Sequence, residues 1–146
     1  MNCLRRFLVH SGGVSATEFA IAAPLLLLVL GGIVTGWTYE NQMTELRSAV
    51  KSGANYVLQG GMDLAAAKST VLTAWSNKPD DAEVQVIRQC TCGNTVSTCS
   101  AVCVGNGSIP NMSVIITASG SLDTPAYNLL TSAKTQASRQ EIIRVR

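Results

Sequence analysis

Four cysteines, Cys90, Cys92, Cys99 and Cys103, fall within fourteen residues of one another. Clustered thiols support two chemistries, metal binding and disulfide formation. Zinc is ordinarily held by Cys-x-x-Cys pairs, and Cys90-Thr91-Cys92 makes an awkward chelate. An even, clustered set instead predicts two disulfides in an oxidising compartment. A bond between Cys90 and Cys92 would close too small a ring. Two pairings remain, nested (Cys90 with Cys103, Cys92 with Cys99) or crossed (Cys90 with Cys99, Cys92 with Cys103). Hairpin partners have a constant index sum. The nested scheme needs the smaller bulge and is favoured, with the crossed scheme left open.

A second chemically distinctive residue is Glu18, a carboxylate at the threshold of a long apolar run. A charge there costs free energy unless it is paired or reaches the interface. It stands five residues after Gly13, so a cut between Gly13 and Val14 would make it residue five of a mature chain. The new ammonium on Val14 is an opposite charge that a neighbouring copy's Glu18 could meet in a staggered assembly. Glu18 would then set the register of a helix bundle, with Phe19, Leu25 and Leu28 supplying nonspecific packing. The plainer reading is that Glu18 reaches the headgroups.

Other site chemistry finds no support. The single histidine, His10, lies near the N-terminus, so the rest of the chain has none for a triad or a metal. The other acids, from Glu40 to Glu141, show no pairing motif. Neither a glycine-rich phosphate loop nor a nucleophile motif is visible. The expectation is a protein that is not an enzyme, with no cofactor and no metal.

The elements that must position these residues begin with the apolar run. Phe19 to Trp37 is nineteen residues without a charge, in a chain of 146 residues that is only 14% charged. As a helix it is about 28 Å long, close to the hydrocarbon thickness of a bilayer. A membrane-spanning helix is predicted over residues 14–37, with Trp37 and Tyr39 in the interfacial belt. Arg5 and Arg6 place the N-terminus in the cytoplasm by the positive-inside rule. A cleaved secretory signal fits poorly, because the run is too long and Ile33-Val34-Thr35-Gly36-Trp37 is a poor cleavage site. A twin-arginine signal has imperfect spacing, and Glu18 interrupts the approach to the apolar run. Pro24 is tolerated in such a helix and usually kinks it. Gly32 and Gly36 form a GxxxG, which permits close helix packing but is also common in membrane helices. The net charge of +2 and the lack of a basic stripe argue against nucleic acid.

A short basic leader, Gly13 at a cut, Glu18 five residues later and an unbroken apolar helix together resemble a type IV prepilin-like N-terminus. More specifically, Gly13, Glu18, Phe19, Ala20, Pro24 and Leu25 to Leu28 resemble the TadE-like pseudopilins of tight-adherence (Tad/Flp) pilus systems. In that family a Gly-Val-Ala-Ala-Val-Glu-Phe-Ala-like stretch leads to Pro and a leucine run. The resemblance is close over about thirty residues and covers the rest only in layout. It implies that a prepilin peptidase removes residues 1–13. It also implies partners among the pilin, other pseudopilins and the inner-membrane assembly platform. The location implied is a bacterial inner membrane, crossed once, with residues 38–146 forming a periplasmic pseudopilin domain that could enter the pilus.

Beyond Trp37 the helical pattern continues. Tyr39, Met43, Leu46, Val50, Gly53 and Val57 form a heptad-like stripe, while Glu40, Glu45, Arg47 and Lys51 fall on other faces. One helix from about Val14 to Gln59 is predicted, ended by Gly60-Gly61. Its stripe packs on a partner helix or, more commonly, on its own domain. Asp63 caps a second helix to about Ser76. Asn77-Lys78-Pro79-Asp80-Asp81 is a turn, and period-two alternation predicts strands at 83–90 and 112–121. Residues 142–146 are a third candidate strand, whereas 133–141 could be helical. The fold class is α+β: a long N-terminal helix whose external half joins a small domain of helices on an antiparallel sheet, stapled by disulfides. The sequons at Asn106 and Asn111 are read as loop chemistry. The expected function is a minor pilin or pseudopilin in pilus assembly. The alternative is a signal-anchored periplasmic binding module that never enters a filament. Peptidase dependence separates the two.

Overall fold

A computed structural model describes residues 12–104, 107–124 and 134–145, with side chains from residue 16 onward. Cys3, Arg5, Arg6, His10 and Asn106 lie outside the described residues.

The first helix, α1 (Gly12–Leu58), is continuous over 47 residues and about 70 Å, through Pro24 and across Trp37. Its end is set by Gly60, whose φ of +92° is open to glycine at little cost. The Gly61 N–H donates to the Tyr56 carbonyl and the Gly60 N–H to the Val57 carbonyl, both at 3.0 Å, the paired bonds of a Schellman cap. The chain reverses at once. Asp63 accepts from the Ala65 and Ala66 N–H groups at 2.8 and 3.3 Å and starts α2 (Leu64–Ala74).

Four strands follow: β1 (Glu83–Cys92), β2 (Thr95–Ser97), β3 (Asn111–Leu122) and β4 (Thr135–Arg144). They form one antiparallel sheet in the order β2-β1-β3-β4. On its inner face Val84, Val114, Ile116 and Ala118 are buried against α1 and α2. Helix α1 lies over β3 and β4, and α2 over β1. The stripe on α1 therefore packs on its own domain, with Leu46, Val50 and Val57 buried and Tyr39 and Met43 at its edge. Gly53 marks the closest approach. A Cβ there would run into Val71 Cγ2 of α2 and come within 3.3 Å of Ile116 Cδ1 of β3.

Two local expectations are corrected. Residues 135–141 are strand, not helix. They pair with β3 without a break from Thr135 opposite Leu122 to Arg144 opposite Ser113. An edge strand needs few apolar residues, and only Ala137 and Ile143 of β4 are buried, so its alternation is masked by Gln, Ser and Arg. The second sequon is no loop either: Asn111, Met112 and Ser113 open β3.

The disulfides are crossed, not nested. Cys90 bonds Cys99 and Cys92 bonds Cys103, with Cα separations of 5.1 and 5.4 Å. The reason is the β2 strand, three residues long and without a sequence signal of its own. The β1–β2 hairpin turns at Gly93-Asn94 and sets Cys92 opposite Thr95 and Cys90 opposite Ser97. Cys99 lies just beyond the partner of Cys90. The ladder stops at Ser97, so the constant-sum rule no longer governs Cys103. The chain turns, with the Ala101 N–H donating to the Thr98 carbonyl at 3.1 Å, and brings Cys103 back to Cys92.

Candidate assembly interface

Two surfaces stand out from the described residues: the bare first half of α1, and a charged cleft where that helix enters the domain. From Phe19 to Trp37 the large apolar side chains are 53–79% exposed, and the apolar window of the helix is covered by nothing in the domain. Such a surface is unstable in water and requires an apolar surrounding. By length and composition the helix can cross a membrane. Its hydroxyls suit that setting. Thr35 Oγ1 donates to the Gly31 carbonyl at 2.8 Å, and Thr38 Oγ1 to the Thr35 carbonyl at 2.9 Å. Both are satisfied within the helix. Gly31, Gly32 and Gly36 each face open space, so a neighbouring helix could approach closely there.

The residues singled out from sequence fall along this element. The Gly13–Val14 bond lies in the first turn of α1. Glu18, Phe19 and Pro24 are exposed farther along it. The structure does not bring this group together with the four cysteines, which lie at the opposite end of the molecule, close to the end of α1. Arg88 of β1 donates to the Met62 carbonyl at 3.0 Å and ties that end of the sheet to the α1–α2 connection.

No local signal in the sequence announces the cleft. It encloses about 560 Å³ between α1, the turn after α2, the end of β3 and the start of β4. Asn41 and Glu45 of α1, Asn77 and Asp80 of the turn, Asp123 and Lys134 line it. Asn77 Nδ2 donates to Glu45 Oε1 at 2.7 Å. Glu45 Oε2 is shielded from solvent and meets no donor among the described residues. Gln42 fixes one wall: its amide donates to the Asp123 carbonyl at 2.8 Å and accepts from the Asp123 N–H at 2.7 Å, as a strand neighbour would.

Behind the cleft Asp81 clamps the turn to the sheet. Its Oδ1 accepts from the Ser121 N–H at 3.0 Å and the Ser121 hydroxyl at 2.7 Å, and its Oδ2 from Gln136 Nε2 at 3.3 Å. The Ser121 backbone donor, then its hydroxyl, hold the Asp81 carboxyl down to about 2. The adjacent acids after Pro79 gave the turn away in the sequence, but neither their separate roles nor the part played by Gln42 has a local signal. The four clustered cysteines are used up in disulfides and offer no thiolate to a metal. Among the described residues no group of His, Cys, Asp or Glu could hold one.

Comparison with known proteins bears on the helix. The family model of TadE-like proteins matches residues 13–55. That segment, under a third of the chain, is similar to TadE-like proteins. The match starts at the expected processing glycine and lies wholly within α1, so the TadE-like signature rests on the helix, and α2 and the sheet lie outside it. No curated protein and no solved structure is significantly similar to the chain.

Proposed function

We propose that this protein is a TadE-like minor pilin or pseudopilin, a structural component of tight-adherence pilus assembly. The observation that carries the reading is the TadE-like match over residues 13–55 on a helix whose first half is apolar and bare. In this reading residues 1–13 are a cytoplasmic leader removed by a prepilin peptidase. Residues 14–37 cross the bacterial inner membrane once, and residues 38–146 are a periplasmic domain. Partners are the pilin, other pseudopilins and the inner-membrane platform. The apolar half of α1 supplies packing that is indifferent to register, because lipid and helix surfaces are equally apolar. Glu18 supplies register: an unpaired carboxylate is penalised in a low-dielectric setting, and the Val14 ammonium of a staggered neighbour would relieve it.

Intact-mass measurement on membrane-extracted protein tests the processing. The expected mature chain begins at Val14 and keeps its helix; a start beyond residue 30 would mean an ordinary secretory signal. Glu18→Gln keeps the shape without the charge. It is expected to insert and be cleaved nearly normally, yet to crosslink poorly to pilin partners. Wild-type crosslinking, with pili still made, would leave Glu18 no part in assembly.

A further inference from the structure

We propose that the acidic cleft is one half of a head-to-tail contact between copies of this chain, and that Arg47 and Lys51 on α1 of a second copy are the other half. The inference goes beyond a role in pilus assembly, since it concerns the external domains and names a second copy as the occupant.

Each half is incomplete alone. In the cleft Glu45, Asp80 and Asp123 outnumber Lys134, and among the described residues Glu45 Oε2 is shielded without a donor. A shielded carboxylate oxygen is costly unless a cation or a donor reaches it. Arg47 and Lys51 are exposed one turn apart on α1, flanked by Thr44, Ser48, Ser52 and Asn55 in a groove of about 440 Å³. Like charges at that spacing repel. Among the described residues neither has an ion-pair or hydrogen-bond partner.

The two halves cannot meet within one chain. At about 100° per residue, Arg47 and Lys51 lie roughly 200–240° around the helix from Glu45, on its far side. Opposite charges on opposite sides of one rod call for a heterologous contact, which repeats from copy to copy and closes into a ring or extends as a filament. The register is set too. Arg47 and Lys51 stand two and six residues beyond Glu45, so parallel helices pair when the copy offering its cleft is displaced outward by about 3–9 Å. Glu40 lies on the basic side, seven residues below Arg47, and repels the acidic cleft at lower registers.

Carbodiimide joins a lysine ammonium directly to a carboxylate in contact with it and so reads this interface. Full-length protein is purified with and without ¹⁵N label, mixed, reconstituted in lipid vesicles and treated. Mixed-isotope amide links from Lys51 to Glu45 or Asp80 are expected, and high salt is expected to reduce them. Asp80 is exposed, so Asp80→Lys leaves the fold intact, checked by its near-UV circular dichroism. It is expected to lower the yield about tenfold, since like charges are then juxtaposed. Combining Asp80→Lys with Lys51→Asp is expected to restore mixed links, now between positions 51 and 80 with the charges exchanged. Absence of mixed-isotope links in the wild type overturns the proposal. So does a wild-type yield in Asp80→Lys, or a failure of the exchanged pair to link.

Discussion

The two halves of α1 are one uninterrupted helix with opposite relations to the rest of the molecule. From Phe19 to Trp37 apolar residues surround the axis and remain exposed; from Leu46 to Val57 they form one stripe and are buried. An all-round apolar surface selects a medium, because no single neighbour can cover it. A stripe selects a partner, and here α2, β3 and β4 supply it. The second half is thus defined by specific packing and the first half by its surroundings. The junction at Trp37 is also where the polar cleft begins.

The comparison can be broken by the same substitution in each half. Leu46 is fully buried, and Leu46→Ala is expected to destabilise the domain of α2 and the sheet by about 2–5 kcal/mol in denaturant unfolding of the full-length protein in detergent. Leu27→Ala is expected to shift that transition by less than about 0.5 kcal/mol. Equal losses would mean that the halves form one cooperative unit. The distal end gives a smaller effect. Replacing Cys90 and Cys99 together by Ser is expected to cost about 2–3 kcal/mol, since it opens a short loop in the unfolded chain. Peptide mapping without reduction should then retain the Cys92–Cys103 link alone, and a Cys92–Cys99 link in the wild type would contradict the crossed pairing.

The smallest expected effect concerns pH. Asp81 has a folded-state pKa depressed to about 2, below the usual unfolded value of about 3.9. Its contribution is therefore complete above that unfolded value and is lost as pH falls through about 2. Asp81→Asn should flatten this part of the acid limb and leave the neutral-pH insertion of α1 unchanged, as read by thermal unfolding at pH 2–5 and by membrane extraction.

Most of the architecture was legible because its signals are local. The apolar run, the stripe from Tyr39 to Val57, the glycine stop at Gly60, the Asp63 cap and the alternation of Val114, Ile116 and Ala118 each follow from a few neighbouring residues. The clustered cysteines likewise announced two disulfides. What failed was decided across distance. Strand β4 is made by pairing with β3, which its own polar residues do not advertise. The crossed disulfides depend on where the β1–β2 ladder stops. The cleft gathers α1, a turn and two strand ends that are up to 96 residues apart, from Thr38 to Lys134. By itself the sequence determined the two helices α1 and α2 and which half of α1 needs an apolar medium, because period and hydrophobicity act along the chain. Tertiary structure alone decided which thiols meet, where the edge strand lies and where Glu45 faces, because these depend on contacts whose partners are set only once the sheet has formed.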